Sequence, residues 1–161
     1  MIEVHWEEFK QQAPGLAALG EERFGRTGLV LLGSLRRDGS PRISPVEPLI
    51  YSGKLYLGMM WQSRKALDLI RDNRCTVNSV VSDRHAGEGE FKVFGRAEEV
   101  KDLAEREGYS QVLYERIGFK PEEPEYHLFA IDIASASYAE VRDGEWHREF
   151  WSEDSRIPNR K

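Results

Sequence analysis

The sequence predicts a mainly β protein: an antiparallel β-barrel with helical decorations. Short apolar runs recur along the chain and give six to eight strand candidates. Turn dipeptides separate neighbouring runs at Asp38-Gly39, Ser52-Gly53 and Asp143-Gly144, and strands joined by tight turns must pair antiparallel. The strands do not alternate regularly with helices, which argues against a doubly wound parallel sheet. A closed or nearly closed barrel is the arrangement that suits such a series.

The elements follow in order. Trp6 to Phe24 reads as helical in two pieces, interrupted at Pro14-Gly15, with Leu16, Leu19 and Phe24 as docking residues. Gly28 to Leu35 is an apolar strand. Its hairpin partner runs from Pro41 to Tyr51, and Pro45 and Pro48 inside it require a bulge or an edge position. Lys54 to Met60 returns as a third strand. A short helix follows Ser63 and ends near Asp72-Asn73, with Ala66, Leu67 and Ile70 on one face.

Thr76 to Val81 and Glu90 to Glu98 are strands, the second with Gly95 as a candidate bulge. A loosely periodic helix covers Val100 to Ile117, and its acidic residues, with Glu98 and Glu99, read as a solvated face. Glu125 to Ile133, Ser137 to Arg142 and Glu145 to Trp151 are three further strands. Trp146 and Trp151, five apart, face opposite sides of the last one. We expect one domain over residues 1–161, with an N-terminal helical segment at 1–26 and a polar tail at 152–161.

Composition bounds the function. Hydrophobic residues make up 40% and charged residues 32% of the 161 positions, an ordinary globular balance. The single cysteine, Cys75, gives no internal disulfide and suits a reducing cytoplasm. No apolar run approaches the length of a membrane span, and Met1 to Lys10 lacks the apolar core of a secretory leader. A net charge of −5 disfavours generic nucleic-acid binding. The four histidines have no metal-ligand spacing, so no metal site is expected.

Charge is nevertheless uneven. Arg36 to Arg74 holds eight Lys/Arg against four Asp/Glu, a cationic window inside an acidic chain. Within it, Ser63-Arg64-Lys65 opens the short helix. Free backbone N–H groups, the positive end of the helix dipole and two cations make that start a candidate phosphate site. Cations there oppose the dipole unless an anion compensates. Ser63 reads as an N-cap, and Arg42 as a second anion contact or as the partner of Glu47 or Asp68.

Several residues together resemble the pyridoxamine 5′-phosphate oxidase-like flavin split-barrel family. They are Asp38-Gly39-Ser40-Pro41-Arg42-Ile43-Ser44-Pro45-Val46, the Gly53-Lys54-Leu55-Tyr56-Leu57 strand, Ser63-Arg64-Lys65, Asp72-Asn73-Arg74, and Phe91 to Glu98. The likeness is good over residues 28 to 100 and looser beyond. It implies a six-stranded antiparallel split barrel of the FMN-binding type. It also implies a homodimer with cofactor at the subunit interface and a small-molecule substrate.

Carried over by position, the resemblance puts Arg42, Ser63, Arg64 and Lys65 at the flavin phosphate or ribityl chain. Ile43, Ser44, Met59 and Met60 would lie around the ring. Glu47 stands where full oxidases carry Lys, Glu90 stands where they carry Gln, and their Arg-Leu-x-Pro ending is absent. These departures point away from pyridoxamine phosphate as substrate. The implied role is an FMN-dependent oxidoreductase. The alternatives are a reductase using the 8-hydroxy-5-deazaflavin coenzyme, or a non-catalytic flavin- or haem-binding module.

Overall fold

The structure is a computed structural model and describes residues 3–154. Four helices and eight strands run in the order α1 (Trp6–Gln12), α2 (Pro14–Thr27), β1 (Val30–Leu35), β2 (Pro41–Val46), β3 (Pro48–Tyr51), β4 (Lys54–Met60), α3 (Arg64–Arg71), β5 (Arg74–Ser79), β6 (Glu90–Glu99), α4 (Leu103–Ile117), β7 (Tyr126–Arg142) and β8 (Glu145–Ser152). All pairings are antiparallel, in the order β2-β1-β5-β6-β7-β4-β3, with β8 also on β7. The two ends of that path, β2 and β3, are separated in the chain by Glu47 alone. The sheet must therefore curl until its ends approach each other, which makes the barrel. The class is the one expected, with eight strands rather than six.

Two of the expected elements are corrected. The Pro41–Tyr51 run is two strands. Pro45 and Pro48 flank the break, and on either side of it β2 pairs with β1 while β3 pairs with β4. The Glu125–Ile133 and Ser137–Arg142 candidates are one continuous strand. It pairs with β4 through its first residues, with β6 along its middle and with β8 through its second half. The register on β6 slips at Phe94/Gly95, where Gly95 opposes Ile133 and Ala134 is the extra residue. A Cβ at Gly95 would lie 2.0 Å from the Asp132 carbonyl oxygen, so the bulge needs glycine there.

The barrel interior holds Val30, Leu32, Leu55, Leu57, Phe91, Val93, Ile131 and Ile133, closed at one side by Trp6, Phe9 and Phe24 of the N-terminal helices. Trp151 joins this core against Phe9, whereas Trp146 is exposed on the other face of β8. A second cluster lies under α4, where Leu49, Tyr56, Tyr109, Leu113, Tyr126 and Leu128 meet. β4 is thus covered on both faces, which explains its unbroken apolar run Leu55-Tyr56-Leu57. Glu98 and Glu99 end β6 rather than starting α4, and Glu105 bonds Lys54 and the Tyr56 hydroxyl. No described helix is long and apolar enough to cross a membrane. Most of the polar tail read at 152–161 lies outside the described residues.

Candidate functional site

β2 alternates about its axis. Arg42, Ser44 and Val46 share a face with their β1 partners Ser34, Leu32 and Val30, while Ile43 shares the other face with Gly33. The first face meets α3. There Asp68, only 3% exposed, accepts from Arg42 Nε at 2.6 Å, Arg71 Nη2 at 3.1 Å and Ser34 Oγ at 3.1 Å. Burial opposes its ionisation, but these three hydrogen bonds outweigh burial and hold the carboxyl below the usual range. Arg71 also donates to the Leu35 carbonyl at 2.5 Å, fixing the last turn of α3 to the end of β1.

Around this buried carboxylate lies a cavity of about 520 Å³ lined by Arg36, Arg37, Arg42, Arg64 and Arg71, with Asp38, Asp68 and Leu67. Positive charge dominates it. The β1–β2 turn supplies two of the arginines, β2 one and α3 two. Ser63 is the N-cap of α3 by backbone conformation, and its carbonyl accepts from Leu67 N–H at 3.0 Å. Its hydroxyl caps nothing: Oγ is buried and has no hydrogen-bond partner among the described residues. An unsatisfied buried hydroxyl is uncommon and requires an explanation.

The turn entering α3 is held from a distance. Gln62 adopts φ +56°, and its N–H donates to His127 Nε2 at 3.1 Å. Trp61 stacks on the His127 ring at 4.4 Å between centroids. His127 stands opposite Met59 on β7. Left-handed backbone at a non-glycine residue carries strain, and this clamp keeps Ser63-Arg64-Lys65 in place.

The structure thus brings Arg42 and Arg64 together at the cationic cavity; Ser63, the residue before Arg64, does not line it. Lys65 is half-buried and does not line the cationic cavity. Ser44 is half-buried on the inner face of β2, and Ile43 is 65% exposed on the outer face. Met59 is 4% exposed and points into the core, while its neighbour Met60 is 79% exposed on the opposite side of β4. Sequence reading did not single out Arg36, Arg37, Arg71 or His127. The three arginines lie in the cationic window, and Arg71 lies seven residues after Arg64, two helical turns on along one face.

The profile of the pyridoxamine 5′-phosphate oxidase family matches residues 20–139. The chain belongs to that family. Solved structures agree on the fold, a split barrel of the pyridoxamine 5′-phosphate oxidase-like type. A Clostridium acetobutylicum protein related to general stress protein 26 has TM-score 0.61 at 18% identity, over 84% of this chain and 92% of that one. General stress protein 26 of Bacillus anthracis has TM-score 0.55 at 22% identity, over 80% and 98%. HutZ, a haem storage protein of Vibrio cholerae, has TM-score 0.60 at 14% identity, over 73% and 89%. No match was found among curated proteins. The family match covers every residue of the cationic cavity.

Proposed function

We propose that this chain is an FMN-binding oxidoreductase that acts on a small molecule as a homodimer. One observation carries the reading: a cavity lined by five arginines at α3, with Arg64 of its first turn among them. That donor set fits a phosphate monoester. Guanidinium groups offer planar forks to its oxygens, and the helix N-terminus adds N–H groups.

The residues divide the work. Arg64 and Arg71 present charge from α3, Arg36 and Arg37 close the cavity from the β1–β2 turn, and Ser63 sets the helix start next to Arg64. Arg42, tied to Asp68, is held in one orientation and loses little freedom when a ligand arrives. From Arg42 to Glu47, β2 covers about 16 Å at the usual strand rise. A cofactor anchored at Arg42 by its phosphate therefore reaches the far end of β2. Ser44, Ile43 and Met60 are then the residues available to its ring, with Lys65 behind the anchor. Bound flavin would supply the hydride or electron chemistry; the chain supplies anchoring, orientation and a shaped substrate face.

A second copy is supported by the outer sheet face. Ile43, Phe94, Phe150 and Trp146 are exposed and lie on the same side of β2, β6 and β8 by register. An apolar face of this kind suits a self-complementary interface. The haem reading gains no support from the one buried histidine, because His127 Nε2 already accepts from Gln62.

The test is reconstitution with FMN followed by dialysis. Retained flavin absorbance with quenched fluorescence supports the reading, and free flavin with none retained removes it. A parallel titration with the 8-hydroxy-5-deazaflavin coenzyme, whose acidic tail would suit the same cavity, decides between the two cofactors. Sedimentation at micromolar concentration reads the dimer.

A further inference from the structure

A second concave region lies on the other flank of β4, beneath α4. Its inner part, about 150 Å³, is lined by Glu47, Gly58, Met60, Tyr109, Leu113 and Phe119 among others. It shares Glu47 and Leu113 with an outer cleft of about 700 Å³ between α2, β3 and α4. An apolar cavity of the inner volume is the size that takes one benzene-like ring.

Three polar groups break the apolar lining; the Tyr126 hydroxyl is already used, donating to the Arg106 carbonyl at 3.3 Å, and the other two are unpaired among the described residues. The first is the Tyr109 hydroxyl. Tyr109 is 3% exposed, and its hydroxyl makes no hydrogen bond to any described residue. It stands over Gly58, where a Cβ would lie 2.3 Å away, so the bare backbone at 58 is what leaves it room. The second is the Glu47 carboxylate, the only charged side chain in the inner lining and without a cation partner among the described residues. Burial, and then the charge of Glu47, push the Tyr109 phenol up to about 12. The phenol is therefore a protonated donor at neutral pH, and Glu47 lies at the exposed mouth of the cavity with its charge acting on that phenol. In the outer cleft Arg116 donates to the Ile50 carbonyl at 3.4 Å, and Glu21 is paired with Lys10.

We infer that the inner cavity binds the aromatic ring of an uncharged or cationic substrate, Tyr109 donating to an acceptor on it and Glu47 excluding anions. That the occupant is the substrate rests on the flavin reading above; that the cavity selects by charge does not. The chain then carries two sites of opposite character at the two ends of β2, a cationic one for a phosphate and an acidic, apolar one for a ring.

Three probes of one shape test this: benzamidine, benzamide and benzoate, titrated by NMR against the full chain with and without FMN. Benzamidine and benzamide should bind saturably, and benzoate about tenfold or more weaker, as an uncompensated carboxylate at the site requires. Glu47→Gln should bring benzoate to within about threefold of benzamide once that repulsion is gone. Tyr109→Phe should weaken benzamide about fivefold, one neutral hydrogen bond, and leave benzamidine, which has no acceptor, nearly unchanged. Benzoate binding as tightly as benzamide, an unchanged ratio in Glu47→Gln, or no saturable probe at all overturns the inference. The expected probe order in a protein that fails to retain FMN keeps this inference and removes the flavin one.

Discussion

The main-chain N–H of Gln62 donates to Nε2 of His127 across 65 residues of sequence, and the bond requires a neutral imidazole. Around that ring stand Trp61, stacked on it, Glu99, with an oxygen 3.9 Å from Nδ1, and Arg106 of α4. Burial lowers the His127 pKa; Glu99 pulls the other way and Arg106 adds to the lowering. A histidine depressed in the native state contributes its full stability above its unfolded pKa of about 6.5. That contribution is lost as pH falls below this value toward the native pKa. We predict that the urea midpoint falls between pH 7 and pH 5, and that His127→Gln, whose side-chain carbonyl can still accept from Gln62, flattens this part of the curve. Parallel curves for the two proteins would show that the clamp is indifferent to charge.

Asp68→Asn should cost about 2 kcal/mol in urea unfolding. The substitution leaves Arg42 and Arg71 without their charged partner at a site that is dry on the Asp68 side and partly wet on the arginine side. The Arg42–Asp68 pair is coupled, so Arg42→Met should cost less when combined with Asp68→Asn than alone, by about 1 kcal/mol. Additive costs would mean that the 2.6 Å contact contributes nothing of its own. The depressed pKa of Asp68 adds stability that is present above its unfolded pKa and disappears as pH falls through the native one.

The two cations opening α3 should separate in function. Arg64 lines the cationic cavity and Lys65 does not. Arg64→Ala is expected to lower FMN affinity about tenfold or more, the loss of one charge-assisted hydrogen bond. Lys65→Ala should have the smaller effect, and the double variant should lose retention while keeping its circular dichroism spectrum. Equal single effects would place the anchor elsewhere on the helix.

Gly95→Ala should destabilise by about 2–4 kcal/mol, because the added methyl meets backbone at Asp132. Gly33→Ala is the control. Its Cβ would be crowded closer than 3.4 Å only by Thr76 Oγ1, at 2.5 Å, a side-chain atom that can rotate away. Thermal unfolding of the two variants should rank them in that order.

The barrel was legible because hairpins are local: Asp38-Gly39, Ser52-Gly53 and Asp143-Gly144 each sit between strands that pair with one another. The continuity of β7 was not. Ala134, Ser135 and Ala136 are small and read as a break, and only the bulge opposite Gly95 shows why the strand passes through them. The site divides the same way. Of Ser63-Arg64-Lys65, a local pattern, only Arg64 lines the cavity, and Asp68, a partner for Arg42 expected from the sequence, is the one the structure gives it. His127 could not be found, since nothing in Tyr126-His127-Leu128 signals a partner on another strand. Tyr109 sits in a helix whose apolar residues are only loosely periodic, so its direction was not visible either.

The length of β7 has a consequence for synthesis. β4 has two strand neighbours, β3 and the start of β7, so one edge of β4 stays unpaired until Tyr126–Ala130 has been made. The acceptor for Gln62 arrives with the same five residues. A nascent chain that has emerged only as far as α4 already contains every arginine of the cationic cavity but not the residue that holds the Gln62 turn. If the proposed flavin phosphate is captured there, its capture should report a nearly finished polypeptide, and cofactor present during translation would select chains whose last strands have closed.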